Sequence, residues 1–187
     1  MPWTKQDTEN LKEFRNIIDS DDIKIKEQIK SKLLNNKNII HVLNSSDIDE
    51  DESSEYFGTH ILPYYIVHPT QHNVKNYICY EVQYDEVDSW NDRVKYLQIV
   101  FYILCEQKNL IDQDTYLARH DLLAALIVDE FNLTNIFGKK VRLITDKPSV
   151  VDADYACRTL IFEQITDNNL VKTKNGIPRL INKDVVI

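Results

Sequence analysis

The sequence predicts an α+β protein: a mostly antiparallel β-sheet with a helix packed on one face, an N-terminal helical segment and protruding hairpins. Three observations lead there. First, "VKYLQIVFYILCEQ" at 94–107 alternates as a long strand, and "YLARHDLLAALIVDEF" at 116–131 follows it with a helical apolar stripe. Second, the remaining strand-like runs are joined by connections too short for repeated crossover helices, which favours antiparallel pairing. Third, 187 residues with 43% apolar content and ten tyrosines are enough for a real, strand-rich core. The simplest division is one domain over 1–187, with a helical segment at 1–43 and the α+β core with its C-terminal hairpin at 60–187.

Taken in order, residues 5–19 and 21–35 read as two helices. "DSDD" at 19–22 supplies capping oxygens and first-turn negative charge to the second, and Ile25, Ile29 and Leu33 lie on one face of it. "NNKN" at 35–38 stops that helix, and a short apolar run, "IIHVL", follows. "NSSDIDEDESSE" at 44–55 holds too little apolar area to order itself and reads as a flexible loop. "HILPYYIVHP" (60–69) and "NYICYEVQY" (76–84) are aromatic and β-branched strand candidates separated by a loop of hairpin length.

The strand at 93–107 has one fully apolar face (Leu97, Ile99, Phe101, Ile103, Cys105) and one mixed face, as a central strand would. The helix after it, at about 115–131, has Asp112 and Asp114 available as caps. It buries Leu122, Leu123, Leu126, Ile127 and Phe131, with Arg119, Asp121, Asp129 and Glu130 turned away. "IFGKKVRLIT" (136–145) is a strand with Gly138 at its turn, and "YACRTLIFEQI" (155–165) alternates. "LVKTKNGIPRLI" (170–181) is a hairpin around Asn175-Gly176.

Charge narrows the functional classes. The formal net charge is −8 and the sequence pI about 5.1, which disfavours broad affinity for nucleic acid. Between 44 and 92 there are eleven Asp or Glu and one Lys, so this stretch forms an acidic face, whereas Lys172, Lys174, Arg179 and Lys183 make the C-terminal end basic. Glycine numbers only three, against a phosphate-cradling loop. No run approaches the roughly 18–20 apolar residues of a membrane span, and "MPWTKQDTENLKEF" lacks the apolar core of a signal peptide. Cys79, Cys105 and Cys157 form no CxxC pair and sit in apolar runs, as buried free thiols of a reducing, cytoplasmic setting do.

His68 and His72 are four apart, but Pro69 prevents one helix from presenting both, and no third ligand is at a recognised spacing. Read as a calcium loop from Asp47, the chain has Glu52 where Gly is needed and Gly58 where Glu is needed. Asp152 and Asp154 with Glu81 sketch a metal-dependent nuclease, yet the strand carrying Glu81 offers Gln83 and no lysine. GxSxG and P-loop patterns are missing. The expectation is therefore no cofactor, no metal and no enzyme. A metal-dependent nuclease, and an acidic inhibitor or DNA mimic using the carboxylates of 44–92, are the alternatives. Arg119 and Arg158 are suited to carboxylates, in an in-chain salt bridge on the simpler reading or across a subunit boundary on the other. With Asn175 and Gly176 they are the candidate subunit-interface residues.

From residue 76 onward the element order resembles the tail-terminator and neck (head-tail connector) proteins of tailed bacteriophages. The strand pair "NYICYEVQY" and "VKYLQIVFYILCEQ", the helix "ARHDLLAALIVDEF", the turn-rich strand "GKKVRLITDKPSVVDADY" and the closing strand "RTLIFEQI" carry that resemblance. It implies a structural virion protein in the phage neck or tail, assembled in the host cytoplasm. It further implies a homo-oligomeric, hexameric ring that ends the tail tube and joins it to connector or adaptor proteins, with no membrane partner. The family contributes no catalytic residues. An acidic face lining the channel would let DNA pass without specific binding. The N-terminal helices, the acidic loop and the basic hairpin are additions to the minimal pattern.

Overall fold

The structure, a computed structural model, describes residues 5–12, 21–65, 75–87, 94–150, 154–167, 170–172 and 178–180. Among them are helices α1 (Lys5–Lys12), α2 (Asp21–Asn35), α3 (Lys37–Leu43) and α4 (Arg119–Phe131). The strands are β1 (Ile61–Leu62), β2 (Tyr77–Val87), β3 (Val94–Glu106), β4 (Arg142–Val150), β5 (Tyr155–Asp167), β6 (Leu170–Lys172) and β7 (Pro178–Leu180). Five strands form one sheet in the order β1-β2-β3-β5-β4, and β6 pairs with β7 in a separate ribbon. The α+β class predicted from sequence is the observed one.

β2 and β3 are neighbours in a long antiparallel ladder, with Phe101 opposite Tyr80. β3 also pairs along its whole length with β5, with Phe101 opposite Leu160. The chain leaves β3, passes through α4, lays β4 at the outer edge, and returns as β5 into the gap between β3 and β4. The alternation of β3 is borne out: Leu97, Ile99, Phe101, Ile103 and Cys105 are all essentially inaccessible. They face the helical layer, where Ile25, Ile29 and Leu33 of α2, Ile39, Ile40 and Leu43 of α3, and Leu123, Ile127 and Phe131 of α4 complete one core. Phe101, Phe131 and Phe162 interlock at its centre, with ring centroids 5.3, 5.7 and 6.4 Å apart. Each large side chain buried there contributes on the order of 1.5–3 kcal/mol. On the opposite face a smaller cluster gathers Leu62, Tyr77, Cys79, Leu104, Tyr155 and Cys157.

Three expectations need correction. The strand expected at 60–69 shrinks to Ile61–Leu62 and runs parallel to β2, so the sheet is mixed, not a hairpin at this edge. Pro63 lies just past it and has no N–H for a ladder, and residues 66–69 are outside the described set. The "IIHVL" run is helical, in keeping with the helical segment expected over 1–43: Asn36 caps α3 by accepting from the amides of Asn38 and Ile39. The acidic segment 44–55 folds into turns ending in a 3₁₀ turn, Ser53–Tyr56, held by fully buried Tyr56 and by Ile48 against the core. Lastly, α4 begins at Arg119 and β4 spans Arg142–Val150, each several residues later than read from the pattern. Gly138 does make the turn before β4, at φ 90°. The C-terminal hairpin pairs as expected, Val171 opposite Arg179, while Asn175-Gly176 lies outside the described residues.

Candidate functional site

Arg119 makes an in-chain salt bridge, as on the simpler reading, but makes it in the interior and not at the surface. Asp112 and Thr115 fold the chain between β3 and α4 into a tight turn: the Asp112 carboxylate accepts from the Thr115 amide at 2.9 Å and its hydroxyl at 2.7 Å. Arg119, in the first turn of α4, points inward and pairs with the other carboxylate oxygen at 2.9 Å, the two side chains only 4% and 3% exposed. Its guanidinium also donates to the carbonyls of Val42 (3.2 Å) and Asn109 (3.1 Å), joining α3, the loop and α4. Hydrogen bonds from Thr115 and the charge of Arg119 hold the Asp112 carboxyl below its usual range. A buried Arg119 is unavailable for a subunit boundary, and it does not point away as its helical position suggested.

What this network holds is an exposed apolar projection. Tyr116 is 80% exposed and Leu117 55% exposed, and the exposed Ile111 is bridged to the next residue, Ala118. Tyr116 sits at φ 59°, left-handed backbone that costs a bulky L-residue about 1 kcal/mol. The turn over-determines it, since the Tyr116 amide donates to the Asp112 carbonyl and the Asp112 amide to the Leu117 carbonyl, each at 2.9 Å. Acid lies beside the projection at Asp114. His41 of α3 bridges Asp114 (3.3 Å) and Glu50 (2.8 Å), and these partners, Glu50 foremost, raise its pKa. The exposed Asp49, Asp51, Glu52 and Glu55 continue the acidic surface and, among the described residues, make no ion pair.

A second apolar patch lies at the far end of α4. Leu133 is 58% exposed at φ 61°, where a helix end ordinarily places glycine. With Ile165 of β5, 52% exposed, it lines an open groove of about 440 Å³ whose other walls are Lys139, Lys140, Arg142 and Glu163. Arg142 leans on Glu163 at 3.6 Å.

The other sequence-predicted groups are occupied inside the fold. Arg158 grips Asp146 through two bonds (2.7 and 3.0 Å) and reaches Asp121 of α4, so it clamps the outer strand to the helix. These carboxylates, Asp146 first, raise its pKa further. Glu81 is bound by Lys26 at 2.6 Å. It stands level with Val100 and hence Ile161, seven positions along β5 from Asp154, or about 23 Å. The carboxylate pair of a nuclease is therefore not assembled, and Asp152, His68 and His72 are outside the described residues.

One combination invisible to the sequence is Ser45 with His60. His60 is buried and donates Nδ1–H to the Asn76 carbonyl at 2.7 Å, leaving Nε2 to accept from Ser45 Oγ at 3.0 Å; burial lowers its pKa. Ser45 Oγ also accepts from the amides of Asp47 and Ile48, so its hydrogen-bonding capacity is full. The pair clamps the acidic loop at the wall of a polar pocket of about 210 Å³. For a metal, the ligand atoms of His41, Asp112 and Asp114 lie within 4.8 Å of one another. Both oxygens of Asp112 are already held by Arg119 and Thr115, so a cation there would compete with a buried ion pair.

Fold and site together define an α+β scaffold whose buried polar network fixes an exposed apolar loop. The chain belongs to the YomW family, whose profile matches residues 27–164, from α2 through β5. That family is named for a protein of the phage SPbeta region of Bacillus. No curated protein matches the chain. Among the described residues no helix is long and apolar enough to cross a membrane.

Proposed function

We propose that the protein is a structural subunit of a phage particle, a self-associating ring component of the neck or tail that ends the tail tube and meets the head connector. The observation that carries this reading is the Arg119–Asp112 network. It holds a bulky aromatic in unfavourable backbone at the surface, and an exposed, pre-organised apolar loop suits protein contact. Family membership and the resemblance in element order support the phage assignment. In this reading the partners are further copies of the chain, tail-tube protein and connector protein. The carboxylates of 47–55 form a repulsive coat past which DNA moves without specific binding.

Light scattering of the purified chain, alone and with tail-tube protein, tests the reading. Rings of about six subunits, visible in negative stain, are the expected result by the family resemblance and by closed cyclic symmetry. A chain that stays monomeric at high concentration in both settings would refute it.

A further inference from the structure

The two exposed apolar patches are unlike each other and sit at opposite ends of the same rigid body. The Tyr116 loop precedes the first residue of α4 and the Leu133 groove follows its last, about 20 Å apart along a 13-residue helix. Along the sheet, Tyr155 opposite Glu106 marks the first end and Ile165 opposite Tyr96 the other, about 33 Å away. Tyr116 and Leu133 are also the bulky residues among those described that take left-handed backbone, the remaining non-glycine case being Asn44 at a helix cap. Charge separates in the same sense. Asp114 stands two residues before Tyr116, and His41 joins it to Glu50, next to Asp51 on the acidic segment, while Lys139, Lys140, Arg142 and Glu163 line the groove, in a protein of net charge −8.

We infer that the Tyr116–Leu117 projection of one copy seats in the Leu133–Ile165 groove of the next, with Asp114 and the 47–55 carboxylates set against Lys139, Lys140 and Arg142. This rests on the proposed ring function and specifies the contact that builds it. The occupant is a second copy because polarity and charge match: an aromatic-aliphatic knob flanked by acid meets an apolar groove with a basic rim. Patches at opposite ends make the contact head-to-tail. A head-to-tail contact uses each patch once per subunit and closes when the rotation per copy divides a full turn.

The test uses the full chain in two variants, Tyr116→Asp/Leu117→Asp on the projection and Leu133→Asp/Ile165→Asp in the groove. All four side chains are largely exposed, and a thermal melt of each variant confirms folding. Sedimentation velocity is expected to find each variant monomeric and their equimolar mixture a heterodimer, because one intact contact remains between them. Lys139→Glu/Lys140→Glu should weaken self-association by about tenfold or more at low salt, and Asp114→Lys/Asp51→Lys in the same chain should recover part of it. Wild-type assembly with groove variants that still associate fully overturns the inference and leaves the ring reading standing. A mixture that stays monomeric also overturns the inference, since no projection then meets a groove. Wild-type chain that never associates, with or without tail-tube protein, overturns both.

Discussion

Replacing Arg119 by Met would remove the one cation from a buried cluster while keeping the bulk of its stem. The Asp112 carboxylate would retain its two bonds from Thr115 but lose its counter-charge, and the carbonyls of Val42 and Asn109 would each lose a donor. Breaking a buried pair from one side costs roughly 3–5 kcal/mol. For a chain of this length that is a fall in Tm of about 6–20 °C. Thermal denaturation followed by circular dichroism measures the loss, and amide exchange at Thr115 and Tyr116 reports whether the loop has loosened. The double variant Arg119→Met/Asp112→Leu should regain much of the stability, because no charge is left buried, yet the Tyr116 amide should still exchange fast. A loss below about 1 kcal/mol in the single variant would refute the reasoning, since the pair would then behave like an exposed one. The pH dependence follows from the lowered Asp112 pKa. Its stabilisation is present above the ordinary carboxylate value of 3.8 and is lost as pH falls through the lower folded value.

Leu133→Gly should raise stability by about 1 kcal/mol by relieving left-handed backbone while weakening self-association, as read by urea unfolding and sedimentation. His60, whose pKa burial lowers from 6.5, contributes stability that is full above 6.5 and declines as pH falls towards its folded value. His41, raised by Glu50, contributes below 6.5 and loses that contribution as pH rises through its folded value. Urea titrations across pH should therefore show a shallower acid-side slope in His60→Gln and a small alkaline-side change in His41→Gln. Cys79, Cys105 and Cys157 are buried, and burial pushes the Cys105 thiol up to about 12, so a thiol reagent should label none of them until the chain is unfolded.

The core was legible because its periodicities are long and uninterrupted. Five consecutive odd positions of β3 are buried as read, and Leu123, Ile127 and Phe131 of α4 enter the core on the predicted face. The boundaries failed where a side chain serves a purpose other than the obvious one. Asp112 suggested a helix cap, yet its carboxylate closes a turn on Thr115 and the helix waits for Arg119, starting with no side-chain cap. β1 was misread because a parallel partner comes from a connection, not from alternation, and two residues carry no period. Asp–x–x–Thr at 112–115 was the available signal for the turn.

Arg119 shows why the site was harder to read than the fold. A guanidinium at a helix start is ordinarily solvated, and its two carbonyl acceptors lie 77 and 10 residues away in sequence, so no local pattern reveals that it turns inward. Tyr116 and Leu133 carry a fainter but usable trace: left-handed positions beside a turn and after a helix where the sequence supplies no glycine. A fold under no other demand could substitute glycine there and gain stability. In the proposed assembly a large apolar residue at both positions is kept for its surface, and other residues make the body between them rigid. Arg158 clamps α4 to β4, Arg119 clamps the loop to α4, and the Phe101–Phe131–Phe162 cluster fills the space between helix and sheet. In the proposed head-to-tail assembly, with both ends fixed to one body, the angle from copy to copy is set by the core as well as by the contact. Closure into a ring would then depend in part on residues that touch no neighbour.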